Sequence, residues 1–170
     1  FFSFEQAGIV PDIVTLSKSI SGYGLPMAIV LLKPELDVWS PGEHNGTFRG
    51  NQPAFVTAKA GIELMIEKKI PERVKYVGKI LKERLNSSIK SAGIENQCEV
   101  RGKGLIVGID VYNENTAKAV ASKCFEDGVI VERTGRHSTT LKILPPLTIT
   151  ANELYTGAKI IFDNIVGALK

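Results

Sequence analysis

Apolar positions along the chain follow two rhythms. Short apolar runs flanked by small or turn-forming residues, Ile13, Val14 and Leu16 and then residues 27–32, predict two strands, the first of them buried. Residues 1–12, punctuated by Gly8 and Pro11, predict a connector. Between residues 54 and 66, alanines and large apolar side chains occupy most of a helical circumference, which predicts a buried helix opened by Asn51 and Pro53. Over residues 72–90, Val74, Val77, Leu81, Leu85 and Ile89 recur at helical spacing with basic residues between them, predicting an amphipathic helix whose charged side is a solvated face. Lys68-Lys69-Ile70-Pro71 interrupts the helical pattern and divides the chain into domains 1–70 and 71–170.

The second half alternates element types. Residues 99–112 predict a strand, glycine-rich at its start and apolar after Leu105. Ala117, Val120, Ala121, Cys124 and Phe125 form a helical stripe ended by Gly128, and Val129-Ile130-Val131 starts another strand. Residues 140–144 predict a further strand stopped by Pro145-Pro146. Thr150-Ala151-Asn152-Glu153 is a capping box for a last helix through Leu154, Ala158, Ile161 and Ile165. The expected class is α/β, with a small α/β unit at the carboxyl end and no internal repeat.

Composition narrows the function classes. A chain of 170 residues that is 44% hydrophobic and 23% charged has the make-up of a globular protein. A net charge of +3 gives no electrostatic argument for nucleic acid or a membrane surface as partner. Cys98 and Cys124 lie far apart without a CxxC pattern, which argues against a metal site or a disulfide framework and fits a reducing, cytoplasmic compartment. No run of eighteen apolar residues and no signal-peptide pattern is present. The chain begins at Phe1 without methionine, so its natural beginning is expected to lie upstream.

Two segments carry candidate chemistry. In Ser17-Lys18-Ser19-Ile20-Ser21-Gly22-Tyr23-Gly24-Leu25-Pro26, one lysine stands between an apolar strand and a loop of small residues. An amine at a strand end, partly stripped of water, loses some preference for the ammonium form and becomes available for Schiff-base chemistry with a carbonyl. Taken alone, the segment leaves open a plain solvated lysine. The loop His44-Asn45-Gly46-Thr47-Phe48-Arg49-Gly50-Asn51 offers backbone N–H groups and the Thr47 hydroxyl to a phosphate, and a plain turn stays open there too.

These two segments, followed by Leu141-Lys142-Ile143-Leu144-Pro145-Pro146-Leu147-Thr148-Ile149-Thr150 and Glu153-Leu154, resemble in order and spacing the class III pyridoxal-phosphate aminotransferases over essentially the whole chain. Within that family the wording is most similar to the diaminobutyrate-forming members of ectoine synthesis. The resemblance implies the carboxyl-terminal part of a fold type I transferase, comprising the end of the large cofactor-binding domain and the small domain. It implies pyridoxal 5′-phosphate as cofactor, amino acid and oxo acid substrates, and a homodimer or higher homo-oligomer. Lys18 is the implied Schiff-base residue and proton carrier, and Thr47 the implied contact to the cofactor phosphate across the dimer interface. The family usually has an arginine for a substrate carboxylate in the strand before the Pro-Pro pair, and here Lys142 stands in its place. A lysine supplies charge without the two parallel hydrogen bonds of a guanidinium, so Arg133 and Arg136 enter as rival carboxylate ligands. Another ω-amino acid transaminase acting on ornithine or 4-aminobutyrate, a related aminomutase, and a non-catalytic domain keeping the fold for assembly are the competing expectations.

Overall fold

The structure, a computed structural model, describes residues 2–47 and 49–170; Phe1 and the Phe48 of the loop motif lie outside the described residues. The chain divides into two compact units, Phe1–Lys69 and Ile70–Lys170. At the division Lys69 takes a left-handed φ of 49°, which ends one helix, and Pro71 sits in the first turn of the next, where its missing N–H costs nothing.

In the first unit, strand β1 (Ile13–Leu16) pairs antiparallel with β2 (Ile29–Leu32), with Ile13 opposite Leu32 and Leu16 opposite Ile29. The connector before β1 contains a 3-10 turn, Ser3–Ala7. The lysine segment is not a plain loop: residues Lys18–Ser21 form a second 3-10 turn, closed by Gly22 at φ 73°. Helix α1 (Gln52–Glu67) follows, with Pro53 in its first turn. Two expectations of burial fail here. Ile13 is exposed and β1 alternates exposed and half-buried positions, because this two-stranded ribbon has little to cover its faces. Helix α1 buries only Ala54 and Ala58 among the described residues, while Val56 and Ile66 stand 69% and 64% exposed.

The second unit is built on a four-stranded antiparallel sheet of order β3-β4-β6-β5. The single strand expected over residues 99–112 is a hairpin, β3 (Glu99–Lys103) and β4 (Ile106–Asp110). Gly104, at φ 53°, supplies the left-handed turn, and Gly102 approaches the Ile106 carbonyl so closely that a Cβ there would lie 2.1 Å from the oxygen. Helix α2 (Ile70–Ala92) precedes the hairpin and α3 (Glu114–Glu126) follows it. Strand β5 (Glu132–Thr134) starts later than the expected Val129-Ile130-Val131, because its register with β6 (Thr140–Ile143) pairs Glu132 with Lys142 and Thr134 with Thr140. Helix α4 (Ala151–Leu169) closes the unit with both hydrogen bonds of the capping box in place.

One face of this sheet meets the helices. Val107, Ile109, Leu141 and Ile165 are completely buried and pack with Leu81, Leu85, Val120 and Leu154 in one core. Gly78 of α2 sits on the hairpin turn, where a side chain would collide with the Gly104 backbone. The basic residues of α2 are not only a solvated face: Arg73 donates to the carbonyls of Leu147 and Ile149, and Lys82 to that of Gly102. They tie the helix to the connection between β6 and α4 and to the hairpin. Among the described residues, no helix is long and apolar enough to cross a membrane.

Candidate active site

Lys18 takes a left-handed backbone, φ 59°, at the end of β1 and the start of the 3-10 turn. A non-glycine residue there carries strain of order 1–3 kcal/mol, a conformation that clusters at functional positions. The strand brings the chain up extended, and the left-handed step turns it sharply at the lysine. Lys18 is exposed and its amine makes no hydrogen bond or ion pair among the described residues. The partial desolvation expected of it is therefore not supplied within this unit, whose short ribbon leaves the strand end open.

Behind the lysine, Ser21 is fully buried and its hydroxyl accepts a hydrogen bond of 3.2 Å from the Gly24 N–H. Asn51 donates 3.0 Å to the Pro26 carbonyl, joining the start of α1 to the segment that leads into β2. Arg49 donates to the His44 carbonyl and so folds the loop back on itself rather than projecting free. Thr47 lies in that loop, exposed, its hydroxyl without a partner among the described residues. Pro26, Met27, Arg49, Asn51 and Phe55 line a hollow of about 320 Å³ beside it.

In the second unit the three basic candidates separate by sheet face. Arg133 shares the cross-strand row of Leu141 and Ile109, on the helix-covered face, and lies 3.6 Å from Glu114 of α3. Lys142 lies in the row of Gly108 and Arg101, on the opposite face, and pairs with Glu132 on β5. That pairing holds the Glu132 carboxyl below its ordinary value. Arg136 is exposed in the turn between β5 and β6. The structure thus brings neither arginine to Lys142.

Sequence reasoning missed a polar cluster on the open face. Arg101 donates 2.8 Å to Asp110 and 2.8 Å to the Thr140 hydroxyl, which itself donates 3.0 Å to Asp110. The Tyr112 N–H donates 3.0 Å to the other carboxylate oxygen. Burial pushes the Asp110 carboxyl up, but the hydrogen bonds from Arg101, Tyr112, Thr139 and Thr140 outweigh it and hold the group at about 2. The available signal was a lone carboxylate closing the apolar run of β4. Both cysteines are buried and free, and burial pushes their thiols up, away from the reactive thiolate. Among the described residues no cluster of His, Cys, Asp or Glu could hold a metal ion.

A strained, exposed lysine closes strand β1, and a small antiparallel α/β unit follows it along the chain. The class III aminotransferase family model matches residues 1–165, and the chain belongs to that family. Members of the family are pyridoxal-phosphate-dependent enzymes. The chain is 50% identical over 165 residues to a diaminobutyrate–2-oxoglutarate transaminase of Streptomyces coelicolor, covering 94% of this chain and 38% of that enzyme. It is 49% identical over 170 residues to the enzyme of the same name from Wolinella succinogenes, covering all of this chain and 39% of the relative. Among solved structures, acetylornithine aminotransferase from Elizabethkingia anophelis matches with a TM-score of 0.85 and 29% identity over 97% of this chain and 41% of that one. Ornithine aminotransferase from Toxoplasma gondii matches with a TM-score of 0.87 and 26% identity over 96% of this chain and 39% of its own. These matches fix the fold as part of a fold type I transferase. The chain spans less than two thirds of the length of each of these relatives.

Proposed function

We propose that the protein to which this chain belongs exchanges an amino group between L-glutamate and L-aspartate 4-semialdehyde, giving L-2,4-diaminobutyrate and 2-oxoglutarate, in ectoine synthesis. The identity of 50% to a diaminobutyrate–2-oxoglutarate transaminase carries this reading. In it, residues 1–70 end the large domain and 71–170 form the small one, and the enzyme works in the cytoplasm as a homodimer or larger homo-oligomer. The solved ornithine and acetylornithine aminotransferases support a second reading, another ω-amino acid transaminase, but at 26–29% identity they weigh less.

The residues present fit pyridoxal phosphate at two contacts. Among the described residues, Lys18 offers an amine with no competing ion pair and Thr47 a hydroxyl with no competing hydrogen bond, so neither must break a bond there to receive the group. When bound, the cofactor supplies the electron sink for electrons released at the substrate carbon. Lys18 would hold the cofactor through its amine and would serve as the base and acid that moves a proton from the substrate carbon. The left-handed backbone fixes the direction from which that amine approaches. Thr47 holds the phosphate of the neighbouring subunit by a charge-assisted hydrogen bond. Lys142, on the open sheet face, attracts the carboxylate of a substrate once Glu132 is displaced; Arg133, turned toward α3, and Arg136 do not share its face.

Borohydride reduction of the complete holoenzyme followed by peptide mapping tests the central assignment. Label on Lys18 is expected, and label on another lysine overturns it. Initial rates with diaminobutyrate against ornithine and 4-aminobutyrate, each with 2-oxoglutarate, separate the two substrate readings.

A further inference from the structure

The turn that carries Lys18 rests directly on the backbone of α1. It is bracketed by two left-handed residues, Lys18 at φ 59° and Gly22 at φ 73°, and its tilt sets where the lysine side chain starts. At its far end, a Cβ on Gly22 would stand 3.1 Å from the Thr57 carbonyl oxygen and 3.5 Å from the Gly61 Cα. From the other side, a Cβ on Gly61 would stand 3.5 Å from the Gly22 Cα. Ser21, fully buried, fills the space next to this contact. Glycine is the least favoured residue inside a helix apart from proline, yet Gly61 sits well inside α1. At 3.5 Å the Gly22 Cα leaves space for at most a methyl in this direction.

We infer that Gly61 is a positioning residue for Lys18, acting through Gly22: it sets how closely the lysine-bearing turn approaches α1 and thereby where the amine stands. The inference rests on the assignment of Lys18 as the cofactor anchor. A methyl at position 61 reaches ordinary van der Waals contact and leaves the turn in place. A longer side chain extended in that direction would press on the Gly22 Cα and tip the turn outward. Reacting groups tolerate a displacement of about 0.5 Å, and about 1 Å costs roughly a hundredfold in rate.

The test compares Gly61→Ala and Gly61→Leu in the complete holoenzyme, both good helix formers, with Ala60→Leu as a control that adds comparable bulk to an exposed α1 position. Three quantities are read: the pH midpoint of the absorbance of the cofactor–lysine linkage, the yield of borohydride label on Lys18, and kcat with KM for glutamate. Gly61→Leu should shift the midpoint, lower the label yield, and reduce kcat by about a hundredfold with KM within threefold. Gly61→Ala should keep the wild-type midpoint and label yield. Should Gly61→Leu fail to fold, Gly22→Ala, which strains the same contact at a positive φ, must produce the same shift. A wild-type midpoint and label yield in the folded variant overturn the inference, as does an equal effect of Ala60→Leu. Label on a different lysine in the wild type overturns the underlying assignment instead, so the two failures are distinct.

Discussion

The two units place their apolar residues in different ways. In Ile70–Lys170 the sheet presents Val107, Ile109 and Leu141 to three helices and leaves them completely buried. In Phe1–Lys69 the helix and ribbon bury Ala54, Ala58 and Ser21, while Val10, Tyr23 and Val38 stand about four-fifths exposed, at 81%, 79% and 78%. The candidate catalytic lysine sits on the second of these surfaces. Its placement depends on backbone devices, two left-handed residues and a glycine contact, where the other unit depends on a closed core. On the proposed reading, the side chain that meets cofactor and substrate is held by local geometry rather than by burial.

The sharpest way to break this contrast is to separate the units. Residues 70–170 expressed alone should unfold in one cooperative urea transition, whereas residues 1–69 alone should show none, by far-UV circular dichroism. A cooperative transition in 1–69 would erase the distinction. Within the 170-residue chain, Leu141→Ala should cost about 2–5 kcal/mol by denaturant titration, because it opens a cavity in a closed core. Val56→Ala, on the exposed side of α1, should change stability by less than about 0.5 kcal/mol.

Charge sharpens the same comparison. Asp110→Asn in residues 70–170 should cost roughly 2 kcal/mol at neutral pH, since the carboxyl is held at about 2 against an ordinary 3.8. A depressed carboxylate contributes fully above its unfolded value and loses the contribution as pH falls through the folded one. The wild type should therefore lose this stability between about pH 4 and pH 2, and the variant should lack that part of the slope. Asp12, held below its ordinary value by exposed Lys33, is the counterpart in the first unit. Replacing it with asparagine should leave the thermal transition where it was. Thr150→Ala should cost about 1 kcal/mol by urea titration, from loss of the cap on α4.

Where period and burial coincide, sequence pattern and structure agree. The stripe of Leu81, Leu85 and Ile89 on α2 and the Thr150 box of α4 both have their expected form, because each packs or caps within its own unit. Helix α1 shows the limit: apolar residues around its circumference predict burial, but periodicity does not say what chain is there to cover them. Gly102 and Gly104 were visible as glycines, while the hairpin they make depends on register that a single strand pattern does not encode. Lys18 and Thr47 stood out through wording rather than physics. Neither the left-handed backbone at Lys18 nor the Arg101–Asp110–Thr140 cluster has a local signature, since each exists only once the chain returns on itself.

That return has a kinetic side. The β3–β4 hairpin joins Lys103 to Ile106, three positions apart, whereas the Asp110–Thr140 seam closes across thirty positions. A tenfold longer loop adds about 2 kcal/mol of closure entropy, which α3 reduces by folding within the gap. The hairpin, seated on Gly78, is thus placed to form early, and the central seam of the sheet to close late. Thr140→Val, which removes the two hydrogen bonds its hydroxyl makes with Asp110 and Arg101, should then quicken unfolding while leaving the refolding rate nearly unchanged.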